Sequence, residues 1–272
     1  MKSLKQILVA IFVLTFIVVS CNKDKNDPKE TLEKAAISAK WIVSGSNEYE
    51  SFEFNESGNY IVVKNLTTKS TNDQIILFGT YEIIDNKTIV LSDFGTLTIS
   101  EINENSISFS IHSSSYPDND IVITASKQEE MENSTNTELL CRTWKMVSVN
   151  GVDVADTEYE LSVLFSKAGT YFVEYANSED EDAGGLAHWK WSDNSETKFL
   201  YSWETPPVWE EEDIVEVIEL TNNSLKILDR FGENEEELYE LVPVVNTKSA
   251  KYKSNVNGTM SDKQLKAGFL KK

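Results

Sequence analysis

The chain has 272 residues, with 45 acidic against 25 basic side chains and a formal net charge of −20. So acidic a body does not bind nucleic acid through its phosphates, which need clustered Lys and Arg. Two histidines and two cysteines leave little material for acid–base, metal or disulfide chemistry.

The first segment, 1–20, reads as a secretory signal. Lys2 and Lys5 precede an apolar run from Ile7 to Val19, which is too short to span a hydrocarbon core. The run stops at Ser20-Cys21. Val18-Val19-Ser20-Cys21 resembles the lipobox of bacterial lipoproteins. That resemblance implies cleavage before Cys21 and acylation of Cys21, so the expected partner is a membrane, reached through a lipid anchor. Several acyl chains anchor stably where one is marginal. Residues 21–30 then form a polar tether. Asn22 is not an inner-membrane retention residue of the acidic type, so the cell envelope, at the outer membrane, is the expected address. With Cys21 in a thioether, Cys141 has no partner in the chain. It lies in Leu139-Leu140-Cys141-Arg142-Thr143-Trp144 and reads as a small buried hydrophobe.

The rest of the chain holds one pattern twice. Phe54-Asn55-Glu56-Ser57-Gly58-Asn59-Tyr60 and Phe165-Ser166-Lys167-Ala168-Gly169-Thr170-Tyr171 share the form F-x-x-x-G-x-Y. Upstream, Trp41 matches Trp144. Downstream, Glu101-Ile102-Asn103-Glu104-Asn105-Ser106-Ile107 matches Glu219-Leu220-Thr221-Asn222-Asn223-Ser224-Leu225. Three collinear matches define two copies, at 31–125 and 137–243, joined by a linker at 126–136.

Each copy is predicted to be all-β. Short runs rich in Ile, Val, Phe, Tyr and Thr alternate with turn clusters. The first copy gives strands at 41–44, 50–54, 59–64, 75–84, 87–91, 95–102, 106–112 and 120–125. The second gives 144–149, 160–165, 170–175, 188–192, 198–203, 214–220, 224–228 and 237–242. Tight connections without helical crossovers favour an antiparallel up-and-down meander. Eight such strands can close into a barrel and so remove the open edges; a sandwich is the alternative.

A helical lead-in, a Trp on the first strand, F-x-x-x-G-x-Y across the next hairpin and six further strands together resemble the lipocalin-like domains of Bacteroidota lipoproteins. The resemblance implies two tandem eight-stranded barrels, each with a small helical plug near Trp41 or Trp144. Residues 244–272 form a basic tail: Lys248, Lys251, Lys253, Lys263, Lys266, Lys271 and Lys272 oppose one acid, Asp262. Ser261 and Gln264 stand at capping-box spacing, which allows a short helix there.

The chain carries none of the common catalytic or phosphate-binding motifs. His112 and His188 occupy different repeat positions. No catalytic residue, metal ligand or cofactor is therefore expected, and the reading is not an enzyme. The acidic runs at 179–182 and 210–213 lack the spaced donors calcium needs and read as solvated loops. The aromatics of the second copy are the candidate binding residues. Trp189 and Trp191 share one face of a strand, with Lys190 on the other. Tyr201 and Trp203 repeat that spacing on the neighbouring strand, and Trp209 follows in a loop. Facing inward, they fill a core or line a pocket for a small apolar ligand. Facing outward, they form a platform for a glycan or a protein. A purely structural envelope protein is the remaining reading.

Overall fold

The F-x-x-x-G-x-Y pattern closes the same hairpin in both copies. In a computed structural model of the chain, the glycine of each pattern is left-handed, at φ +92° for Gly58 and +79° for Gly169. That conformation suits glycine, which lacks a Cβ. The aromatics before and after it, Phe54 and Tyr60 or Phe165 and Tyr171, are buried on the inner wall. The residue after the Phe accepts a side-chain bond at its carbonyl in each copy. Tyr81 Oη–H donates to Asn55 O at 2.7 Å, and Trp189 Nε1–H donates to Ser166 O at 2.9 Å.

The structure describes residues 32–46, 48–65, 74–113, 116–157, 159–175, 184–211, 214–231, 235–244 and 258–259. Cys21, the tether, the acidic run at 179–182 and the capping-box segment of the tail lie outside them. The described residues form one compact unit.

Helix α1 (Lys34–Ile37) leads into β1 (Lys40–Ser44), β2 (Tyr49–Phe54), β3 (Asn59–Asn65), β4 (Gln74–Ile83), β5 (Thr88–Leu91), β6 (Gly95–Ile102), β7 (Ser106–Ser113) and β8 (Tyr116–Lys127). Each strand pairs antiparallel with the next. β8 returns to β1, with Trp41 opposite Lys127, and the sheet closes. Helix α2 (Thr135–Leu140) opens the second copy. It precedes β9 (Thr143–Val149), β10 (Val152–Asp153), β11 (Leu161–Phe165), β12 (Thr170–Tyr175), β13 (Gly184–Trp191), β14 (Lys198–Ser202), β15 (Ile214–Leu220), β16 (Leu225–Phe231) and β17 (Glu235–Pro243). β17 pairs back onto β9, again closing eight strands, while β10 lies outside as a short flap on β9. The fold is thus two closed antiparallel eight-stranded barrels in tandem, as the repeat implied. Two strands went unseen in the sequence. They are β10 and β18 (Gly258–Thr259), two residues of the tail that pair with Ile75 and Ile76 of β4. Both are too short to show a period.

Each barrel is plugged at one end, here called the lower end, by its helix. Ile37 and Leu140 are fully buried there. The first-strand tryptophans hold the plugs. Trp41 Nε1–H donates to Ile37 O and Trp144 Nε1–H to Leu140 O, both at 2.9 Å. α2 is further fixed by its cap, since Ser134 Oγ accepts from Thr137 N.

The linker is a strap, not a loose tether. Gln128 N donates to Lys40 O of the first barrel, while Gln128 Nε2 donates to Ala168 O of the second. Met131 N donates to Lys167 O, and the Met131 side chain packs on the second core. One methionine among acids gives no periodic signal, yet a thioether fills such gaps well.

The outer walls of the two barrels also touch. Ile61, Val63, Ile76 and Phe78 of the first form one buried cluster with Leu164 and Phe172 of the second. The Phe78 and Phe172 rings stack at 4.6 Å. Below them, Lys40 Nζ donates to Thr170 Oγ1 at 3.2 Å, and Thr170 Oγ1–H donates to Glu53 Oε2 at 2.6 Å. Lys40, Glu53 and Thr170 are all buried.

Glu174 extends the same outer stripe of β12, two residues past Phe172. Burial pushes its carboxyl up to about 7. An unfolded Glu titrates at about 4.3, so folding favours the protonated acid. The cost of ionising it is absent below about pH 4 and grows until the pH passes about 7. Glu174→Gln is therefore expected to add about 2 kcal/mol of stability at pH 8 and almost nothing at pH 4. Urea unfolding at the two pH values measures the difference; an equal effect at both would contradict it.

Candidate binding site in the second barrel

Alternation along three strands decides what enters the second barrel. On β13, Ala187, Trp189 and Trp191 share a face, while His188 and Lys190 face out. On β14, Phe199 and Tyr201 point in, and Trp203 continues that alternation just past the strand. Register sets Trp189 opposite Tyr201 and Trp191 opposite Phe199. The four aromatics expected on one face of this hairpin therefore face inward, joined by Phe199.

They do not all do the same thing. Trp189 is fully buried, with its ring edge-on to Phe165 at 5.4 Å and to Trp191 at 5.3 Å. Trp191 Nε1–H donates to Thr137 Oγ1 of α2 at 2.9 Å. These two, with Phe199, form the core beneath the plug and seal the lower end. Tyr201 and Trp203 stand higher. The Trp203 ring meets Tyr171 edge-on at 5.6 Å. Its indole nitrogen is buried and has no hydrogen-bond partner among the described residues. A buried donor left unpaired costs about 1–3 kcal/mol, so each such group in a native fold asks for a reason.

Trp209 is separate. The loop after Trp203 turns back over the barrel, and Lys190 Nζ sits 4.5 Å from the centre of the Trp209 ring. Lys190 faces out, so Trp209 covers the outer wall. Its loop position, after Pro206-Pro207, carries no period that could have shown this.

The sequence reading missed the acids of the interior. Asp229 on β16 follows Leu225 and Ile227 on the inner face and is buried. Glu237 on β17 lies directly opposite it. Tyr239 Oη–H donates to Glu237 Oε2 at 2.5 Å. Asp229 is within electrostatic reach of Tyr171 and Tyr239. Burial drives both phenols well above the ordinary tyrosine range, so they remain neutral hydrogen-bonding groups. Period 2 in Leu225-Lys226-Ile227-Leu228-Asp229 places the acid inside. The abundance of acids elsewhere hid it.

The remaining candidates for chemistry stand apart. His112 is exposed, with Nδ1 3.0 Å from Asp120 Oδ1 on the first barrel. His188 lies on the outer face of β13, where burial and nearby Lys40 push it down to about 4. Burial drives the Cys141 thiol well up, against a reactive role. Among the described residues no His, Cys, Asp or Glu group is arranged to hold a metal ion. No described helix is long and apolar enough to cross a membrane. No protein-family model matches the chain, and no curated protein matches it.

Proposed function

We propose that this chain is a binding module, lipid-anchored through Cys21 at the cell envelope, that seats a small, largely apolar ligand in the upper half of the second barrel. One observation carries the reading. The lower half of that barrel is closed by α2, Trp189, Trp191 and Phe199, whereas the upper half holds a buried indole N–H of Trp203 with no partner among the described residues. A ligand atom is the natural acceptor for it. The lipocalin-like resemblance supports the same end of the barrel. The platform alternative, a glycan or protein held by exposed aromatics, loses this hairpin, whose aromatics face inward.

Two measurements test the proposal. Intrinsic tryptophan fluorescence, titrated with a panel of small apolar and amphiphilic compounds, is expected to shift for at least one class and not for soluble glycans. A response to glycans alone would overturn the buried-site reading. A clickable palmitate analogue is expected to label the wild type in the producing cell and not Cys21→Ala; equal labelling would overturn the anchor.

A further inference from the structure

The two edges of β4 are served unequally. β3 runs along one edge, from Asn65 opposite Gln74 to Asn59 opposite Thr80. β5 meets the other edge only over Tyr81–Ile83. Ser92 extends that contact by one residue. Its backbone N donates to Thr80 O at 2.9 Å, and Thr80 N donates to Ser92 Oγ at 3.0 Å. Beyond Thr80, towards the upper rim, the strand that stands beside β4 is β18, with Gly258 opposite Ile76 and Thr259 opposite Ile75. The second barrel repeats the arrangement. There β14 meets β13 only over His188–Trp191, and no described strand is added on that edge over Gly184–Ala187. The upper stretch thus lies outside the barrel's own closure in both copies, and in the first a segment of the tail takes it.

That stretch of β4 is apolar on both sides. Ile76 belongs to the cluster between the barrels, while Leu77 packs on the first core. A strand covered on both faces offers its edge as a template for any extended chain. Main-chain bonds along such an edge supply the affinity of strand addition.

Two observations select the occupant. Val244 N donates to Thr143 O, so the tail starts from the second barrel. The fourteen peptide steps from Val244 to Gly258 reach at most about 50 Å, whereas all of β4 spans about 33 Å. One chain is therefore long enough to return to its own first barrel. The tail also carries seven lysines against one acid, and the rest of the chain is acidic, so the body attracts it.

We infer that the upper edge of β4 is a strand-addition site whose occupant is this chain's own C-terminal segment at Gly258–Thr259. The tail leaves the second barrel, pairs on the first and closes the edge to other chains. It forms a second strap between the barrels, beside the linker. This interaction is independent of any ligand in the second barrel.

Amide hydrogen exchange on the full mature chain, read by nitrogen-15 NMR, tests it. Successive amides of a strand point to opposite edges, so one of Ile75 N–H and Ile76 N–H points to β3 and the other to β18. The double substitution Gly258→Pro, Thr259→Pro removes both backbone donors of β18 and touches no barrel strand. It is expected to speed exchange of the β18-facing amide at least tenfold and to leave the β3-facing amide unchanged. A synthetic peptide of residues 254–263 is expected to bind this variant at least tenfold more tightly than the wild type, whose edge is taken. Unchanged exchange at both amides, or equal peptide binding to the two proteins, would overturn the occupied edge. Light scattering is expected to show the wild type as a single chain. A wild-type dimer that the double substitution dissolves would place the strand in a second copy and overturn the return within one chain.

Discussion

Trp144→Ala is expected to destabilise the second barrel by about 4 kcal/mol, the upper part of the range for losing a buried large aromatic. The side chain is fully buried at the lower end, between the plug and the inner wall. Its removal leaves a cavity and takes one of two donors from Leu140 O, which accepts the indole N–H at 2.9 Å and keeps Arg142 N–H at 2.8 Å. Trp144→Phe separates the two effects: most of the volume stays, the bond goes while Leu140 O keeps its backbone donor, and a loss of about 1 kcal/mol is expected. Trp41→Ala is expected to act alike on the first barrel, because Trp41 donates to Ile37 O with the same geometry. Urea unfolding followed by circular dichroism measures all three. A loss below about 1 kcal/mol for Trp144→Ala would mean that the plug is not part of the cooperative fold.

Lys40→Met is expected to cost about 3 kcal/mol, because removing one partner leaves a buried charge uncompensated. Lys40 and Glu53 are cross-strand neighbours on the outer wall of the first barrel, and Thr170 of the second links them. Glu53 loses the cation that its bridging hydroxyl serves. The double variant Lys40→Met, Glu53→Leu is expected to be more stable than Lys40→Met alone, since an apolar pair replaces a buried polar one without stranding either. Thr170 then keeps His188 beside it in register, and Phe78 and Phe172 still stack. Thermal unfolding of Lys40→Met, Glu53→Leu and the double variant decides it. A double variant whose loss equals the sum of the single losses would show that the groups act independently across the interface.

Much of the fold was legible in the sequence because the signals were local. The F-x-x-x-G-x-Y turns, the period of Ser106-Ile107-Ser108-Phe109-Ser110-Ile111 and the asparagine-rich turns each report on their own neighbourhood. Closure into barrels followed from strand number and short connections. The contact between barrels left a signal that was passed over. Tyr60-Ile61-Val62-Val63 and Leu161-Ser162-Val163-Leu164-Phe165 do not alternate fully; a strand apolar on both sides is covered on both sides. Tyr60 and Val62 enter the first core, while Ile61 and Val63 meet the second barrel. The site was half legible. Spacing put Trp189, Trp191, Tyr201 and Trp203 on one face. It could not divide them into a sealed lower set and an upper set, because that division depends on α2 and the rim turns. Asp229 and Glu237 lie on the paired strands β16 and β17, far along the chain from β13 and β14, and only barrel closure sets them beside the aromatics.

The two barrels share an architecture but differ in their interiors. The buried inner residues of the first are Trp41, Phe52, Tyr60, Ile89, Leu97, Phe109 and their like, a largely apolar filling. The second adds Asp229 to such a filling.

The central claim is that the ligand meets Trp203 from within the second barrel. Indole N–H resonances of the six tryptophans, recorded by nitrogen-15 NMR, test it directly. Trp203→Phe identifies its own peak. On addition of a compound that shifts the tryptophan fluorescence, the Trp203 peak is expected to move downfield as its N–H gains an acceptor, while the Trp41 and Trp144 peaks hold still. A shift confined to Trp209, or a Trp203 peak unmoved by any bound compound, would contradict the account.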